Sequence, residues 1–305
     1  MSKDKSRRWG IIDIGSNTVR LCVYDISPNN EFKRLASAKM PTALSSYVNE
    51  ANVLSKEGVA AGVKSVRKLC RMAELMNCDK VAPFATAALR NCDNSEEAVA
   101  AIEREAECKI QVLSGKDEAR LSLSGALLSA PFKSGLFFDI GGGSTELMTV
   151  KTGDFVDGDS IPLGSLTSWA REVEGILPTA EELNSLGQAV GILLDESQVK
   201  LDKHAQVCGI GGTMRLALKM ARITNEDISD RSLHLTNFDT MISAYLDDPE
   251  TFSRHLLQLN PARIHTFLPG CVIAREILLR AGAAHVHRQE RCPRRLPAFA
   301  ARLNA

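Results

Sequence analysis

No uninterrupted apolar run in the sequence approaches the roughly 20 residues that a bilayer-spanning helix requires, so no membrane partner is expected. Neither sign of charge is in surplus, because 37 Lys and Arg balance 37 Asp and Glu. No global field therefore favours nucleic acid, and a polyanionic ligand must be held by a local site. The eight cysteines, at positions 22, 70, 78, 92, 108, 208, 271 and 292, form no C-x-x-C pair. This argues against a zinc site or a disulfide framework and leaves reduced thiols as the expectation. The opening MSKDKSRRWG is charged and is followed by no apolar signal segment, so export is not expected and a cytoplasmic location is. The glycine-bearing turns lack the G-K-[ST] ending of a nucleotide P-loop and the G-x-G-x-x-G spacing of a dinucleotide fold. No linker or low-complexity stretch stands out.

What is present is a repeated local design. WGIIDIGSNTVRLCVYD, residues 9–25, reads as an apolar strand carrying Asp13, a glycine turn and a second strand. LFFDIGGGSTELMTV, residues 136–150, makes the same move around Asp139. With 305 residues the chain is long enough for two cores. The duplication predicts an α/β protein of two similarly opened halves, divided as 1–128 and 129–305. After the first hairpin the pattern predicts a strand near 32–39 and an amphipathic helix over 55–78 with Ser55 as N-cap. A strand at 81–85, a helix at 94–107 and a strand at 109–113 follow, and a further helix starts where Ser114 and Asp117 stand in a capping-box relation. In the second half the expected elements are a strand near 155–161, helices over 165–173 and 179–203, and strand, glycine turn, helix over 206–221. The rest, to about 282, reads as helical.

Three glycine turns follow apolar strands: Gly15-Ser16-Asn17, Gly141-Gly142-Gly143-Ser144 and Gly211-Gly212-Thr213. Successive amides in such turns accept phosphate oxygens, helped by Ser and Thr hydroxyls. One alone is compatible with an ordinary hairpin; three, two of them with a carboxylate just upstream, point to phosphate. Asp13 and Asp139 either accept turn N–H groups or serve as ligands of Mg²⁺, which prefers carboxylates with retained water and substrate phosphate. Glu146, seven residues beyond Asp139, can be brought beside it by the hairpin. Glu118 falls at the fourth helical position after Ser114, where an acid is also favoured by the helix dipole alone. Arg90, in PFATAALRN, is an ordinary surface arginine unless a phosphate site makes it a forked anion clamp.

The motifs IDIGSNTVRL (12–21), FATAALRN (84–91), LSGKDEARL (113–121), FDIGGGSTEL (138–147), IPLGSL (161–166) and GIGGTMR (209–215) resemble, in order, those of the exopolyphosphatase and guanosine pentaphosphate phosphohydrolase family, and the likeness continues to FLPGCVIAREIL (267–278). The resemblance implies two ribonuclease-H-like (actin-like ATPase) domains facing across a cleft that takes polyphosphate and Mg²⁺. It implies Glu118 as catalytic base, Arg90 at the scissile phosphate, Asp139 and Glu146 with Asp13 nearby at the metal, and the glycine turns as phosphate loops. The expected reaction is hydrolysis of the terminal phosphoanhydride of inorganic polyphosphate, releasing orthophosphate. Guanosine pentaphosphate is the alternative substrate, and a homodimer is an assembly left open. A same-superfamily kinase and a non-catalytic polyphosphate or alarmone sensor are the rival readings. Longer relatives carry added C-terminal helical domains, from which a short-chain preference is expected. The chain departs from the family in Asp117, where relatives often have Glu, and in its tail from about 286, which is Arg- and Pro-rich and lacks the expected closing motif.

Overall fold

The computed structural model describes residues 6–29, 31–127, 134–201, 206–224, 228 and 232–288. They form two compact units, one ending at Asp117 and the other beginning at Glu118.

The first unit opens with β1 (Arg7–Ile14), β2 (Thr18–Ile26) and β3 (Phe32–Pro41), an antiparallel meander. Then come α1 (Lys56–Leu75), β4 (Lys80–Ala85), a single helical turn α2 (Ala87–Arg90), α3 (Ser95–Ala106), β5 (Gln111–Val112) and the start of α4 (Gly115–Leu127). The sheet order is β3-β2-β1-β4-β5, with β4 and β5 parallel to β1. Alternation along β1 sends Ile12 and Ile14 to one face, where they pack with Val63, Val66 and Leu69 of α1 and Ile102 of α3. Asp13 is thereby directed to the opposite face. The α1 start was legible: the Ser55 hydroxyl accepts from the Gly58 N–H at 3.2 Å.

The second unit repeats the scheme with β6 (Gly135–Ile140), β7 (Thr145–Lys151) and β8 (Asp154–Ile161), again antiparallel. It continues with α5 (Ser165–Glu172), α6 (Ala180–Asp195), β9 (Val207–Ile210), α7 (Gly211–Thr224), β10 (Ser232–His234), α8 (Leu235–Asp247), α9 (Pro249–Leu259), α10 (Phe267–Arg280) and β11 (His285–Arg288). The order is β10-β11-β9-β6-β7-β8, and β9 lies parallel to β6 as β4 does to β1. Even the register irregularities correspond, at Val23/Tyr24 and at Thr149/Val150. Phe138 and Ile140 face a core built with α6, α7, α8 and α10, while Phe137, Met148 and Ile210 face Ala119 and Leu123 of α4. Each unit thus has the mixed ribonuclease-H-like sheet that the motifs implied.

The compact units divide at Asp117/Glu118, because the apolar side of α4 packs on the second sheet. Two expectations are corrected. Helix α6 stops at Asp195 rather than 203: the Ser197 hydroxyl and the Gln198 N–H bond the Asp159 carboxylate on β8, at 3.1 and 3.2 Å, and draw the chain away. The segment to 282 is not helical throughout, since β10 pairs with β11. Of the atypical tail, residues 286–288 are the end of β11 and the remainder lies outside the described residues.

Candidate functional site

In the second unit the β6–β7 register sets Asp139 directly opposite Glu146. Directly paired residues project to the same face with Cβ atoms about 4.5–5.5 Å apart. The row continues to Ser160 on β8 and Ile210 on β9. Asp139 and Glu146 are both buried, at 0% and 2% exposure, and two neighbouring carboxylates without water repel unless a proton or cation lies with them. Ser144 and Ser160 donate to the same Glu146 oxygen, Oε1, at 2.6 and 3.0 Å, which fixes the carboxylate's direction. The face carrying this row is the one covered by α4, where buried Glu118 immediately precedes Ala119 of the packed side. Ser114 caps that helix, accepting from the Asp117 N–H at 3.1 Å, so Glu118 does stand at the fourth helical position.

The turn beyond Asp139 is held from behind. Gly141 N–H closes it on the Ser144 carbonyl at 2.8 Å. The first amides of α5 donate to its carbonyls: Ser165 to Gly141 at 3.0 Å, and Leu166 and Thr167 to Gly142 at 2.9 and 3.0 Å. In a trans peptide the C=O and the following N–H point in opposite directions. With the Gly141 and Gly142 carbonyls turned toward α5, the Gly142 and Gly143 amides are therefore turned outward, as an anion cradle requires. Gly164 permits this contact, because a Cβ there would come within 2.3 Å of the Gly142 backbone.

The third turn is the first turn of α7, continuous with β9. Gly211 has φ +98°, and a Cβ on it would meet Asp139 Oδ1 at 2.5 Å, so only glycine fits. The Arg263 guanidinium lies across Gly212, within 2.3 Å of where a Cβ would stand, and its Nη1 donates to Thr213 Oγ1 at 3.3 Å. This places a cation at a helix N-terminus whose amides already favour anions. Beside it His265 stacks edge-on against Trp169, centroids 4.8 Å apart; burial first, and Arg263 second, push its imidazole below the ordinary range.

The first unit uses the same construction with different charges. Its turn carbonyls are also tied back, Ser16 by the Ser45 N–H at 3.1 Å and Asn17 by Thr42 and Ala43 at 3.2 and 3.0 Å. Asp13, however, is paired in register with Arg20, where Asp139 has Glu146. Arg90 ends α2, with Nε on Asn91 Oδ1 at 3.0 Å and Nη1 on the Leu113 carbonyl at 3.3 Å.

Comparison with known proteins assigns the family. The pattern of the Ppx/GppA phosphatase family fits residues 22–290. The chain belongs to that family. It is similar to Exopolyphosphatase 1 of Mycobacterium tuberculosis, 29% identical over 160 residues that make up 52% of this chain and 46% of that one. The chain spans about half the length of the curated relatives it matches. In fold it is similar to the solved Ppx/GppA family member of Aquifex aeolicus, at TM-score 0.76 and 20% identity over 99% of this chain and 100% of that chain. It is likewise similar to a solved exopolyphosphatase of Cytophaga hutchinsonii, at TM-score 0.82 and 17% identity over 98% of each.

Set within the Ppx/GppA family, the residues singled out from sequence fall into two groups. Glu118, Asp139, Gly141, Gly142, Gly143, Ser144, Glu146, Gly211, Gly212 and Thr213 belong to the second unit; Asp13, Gly15, Ser16, Asn17 and Arg90 belong to the first. Sequence reasoning missed Arg263, Ser160, the opposition of Asp13 and Arg20, and the part Gly164 plays. Gly164 carried a signal, since IPLGSL is one of the family motifs. Arg263, far along the chain and in a 3-10 turn, carried none.

Among the described residues no three or more His, Cys, Asp or Glu side chains assemble into a metal cage. A pair of carboxylates is the donor set Mg²⁺ uses when waters and substrate phosphate complete its octahedron, so Asp139 and Glu146 fit it. No helix among the described residues is long and apolar enough to cross a membrane.

Proposed function

We propose that this chain is an exopolyphosphatase that hydrolyses the terminal phosphoanhydride of inorganic polyphosphate with Mg²⁺. The observation that carries the reading is the buried, in-register pair Asp139 and Glu146 beside a glycine turn whose amides face outward, on the sheet face covered by the helix that bears Glu118. The pair would hold Mg²⁺, which when bound neutralises charge on non-bridging phosphate oxygens. Glu118 Oε accepts the proton of the attacking water and orients it. The Gly142 and Gly143 amides, the α7 N-terminus and Arg263 bind and align phosphoryl oxygens, and Arg90 has the anion-clamping role that the family resemblance implies for it. Phosphoryl transfer needs little more than such positioning and charge stabilisation. Ser144 and Ser160 keep Glu146 from rotating into the position of the incoming phosphate.

The test is orthophosphate release measured side by side on polyphosphates of several lengths, guanosine pentaphosphate and ATP, with and without Mg²⁺. Metal-dependent release from polyphosphate, fastest on short chains, is the expected result. Release confined to guanosine pentaphosphate would reassign the substrate within the family. Binding with no release from any of the three would replace the hydrolase by a sensor.

A further inference from the structure

Away from this site, two thiols are brought together by the packing of α1 on α3. Arg67 of α1 donates from Nε and Nη2 to the Glu105 carbonyl of α3, at 3.1 and 2.6 Å. Cys70 and Cys108 each follow one of those residues by three positions, and so lie along the same seam. The two thiols hydrogen-bond one another, and both are half-buried against the first core. Cys108 is held at the end of α3: Glu107 takes the left-handed conformation, φ 54°, and the Cys108 N–H bonds the Glu103 carbonyl at 3.2 Å. Other cysteines are differently occupied. Cys22 donates to Ser37 at 3.6 Å, Cys92 to the Leu89 carbonyl at 3.4 Å, and Cys271 is fully buried.

The surroundings favour reaction. Arg67, Lys68 and Arg71 line the exposed side of α1, and Lys109 follows Cys108, against Glu74, Glu103 and Glu105. The hydrogen bond from Cys70 holds Cys108 below the ordinary thiol range; burial and Glu103 oppose it and Lys109 adds to it. The same hydrogen bond, with burial, pushes Cys70 up. Glu107, directly before Cys108, makes the charges around the pair balanced, so what favours reaction is two partly exposed thiols within reach of one another, one of them lowered.

We propose that Cys70 and Cys108 form a reversible disulfide when the protein meets hydrogen peroxide, a redox clasp joining α1 to the end of α3. The Cys108 thiolate attacks one peroxide oxygen, the O–O bond breaks, and hydroxide leaves to become water on taking up the thiol proton. The Cys70 sulfur then attacks the resulting sulfenic acid, forming the S–S bond and expelling a second water. In sum, the two thiols are oxidised to a disulfide and one peroxide is reduced to two waters. The loop so closed contains β4, α2 and Arg90, so the clasp restrains the segment that presents that arginine.

The full chain, reduced and then treated with hydrogen peroxide, is blocked with N-ethylmaleimide, digested and examined by mass spectrometry. The Cys70 and Cys108 peptides are expected to leave the alkylated pool together and reappear as one cross-linked species, lighter by two hydrogens and reversed by dithiothreitol. The oxidised chain is expected to unfold at a temperature several degrees higher. In Cys70→Ser, Cys108 is expected to accumulate as a dimedone-reactive sulfenic acid, whereas Cys108→Ser should show neither product. Both thiols remaining alkylatable, or pairing of either with another cysteine or a second chain, would overturn the clasp. So would Cys108 sulfenic acid that persists while Cys70 is present.

Discussion

Asp139 and Glu146 stand opposite one another across a hairpin, both shielded from water, and Ser144 and Ser160 hydroxyls brace Glu146. Two carboxylates set this close disfavour one another's charged form unless a cation lies with them. Asp139→Asn is therefore expected to raise stability while weakening the hold on the metal. In chelator the variant should unfold at a higher temperature than the parent, since one buried charge has gone. The Mg²⁺ concentration that half-activates phosphate release should rise by about tenfold or more, the scale on which even outer-shell changes weaken metal sites. A lower unfolding temperature with an unchanged Mg²⁺ requirement would show that the carboxylates are structural.

Glu118→Gln keeps the shape of the side chain and the Ser114 cap while removing the proton acceptor. Its turnover is expected to fall by roughly two to four decades, the range for a lost acid–base group. Unchanged circular dichroism and unchanged KM would accompany the loss. Near-parental turnover would reject Glu118 as the base.

Gly164 and Gly211 are fixed by contact rather than by chemistry. An alanine Cβ would meet the Gly142 backbone at 2.3 Å in one case and Asp139 Oδ1 at 2.5 Å, at positive φ, in the other. Each substitution to alanine is expected to cost about 1–3 kcal/mol, the usual scale of overpacking, read by urea unfolding. Phosphate release should fall further than the lost folded population explains, because both clashes displace the turn or the carboxylate beside it. An alanine variant at either position with parental stability would contradict the packing described.

His265 gives stability a dependence on pH. Its imidazole is depressed in the folded chain, chiefly by burial and also by Arg263. The unfolded chain takes up that proton at about pH 6.5. Between that value and the lower folded one, protons bind the unfolded chain preferentially, so stability present above the window is lost as pH falls through it. His265→Phe keeps an aromatic ring against Trp169 and cannot titrate. It is expected to flatten the fall in unfolding free energy on going from about pH 7 to 5. An unchanged slope would place the titration elsewhere.

The local features were readable because their causes are local. Ser55 caps the helix it precedes, its hydroxyl accepting from the Gly58 N–H at 3.2 Å. Alternation around Asp13 and Asp139 marked the strands, and the recurrence of the design marked the two halves. Helix ends were less legible: what stops α6 is a bond to Asp159, a residue 38 positions before Ser197. The short strand β10 was lost within a helical reading because it exists only through pairing with β11, which follows some fifty residues later.

By itself, then, the sequence determined which turns carry glycine and which acids flank them, because glycine, capping residues and two-residue periodicity act over a few neighbours. Tertiary structure alone decided what those residues face: Arg20 across from Asp13 but Glu146 across from Asp139, Arg263 over Gly212, and Cys70 against Cys108. Strand register and helix packing set these juxtapositions, and both are fixed by burying whole apolar faces, a property of the folded chain rather than of any segment.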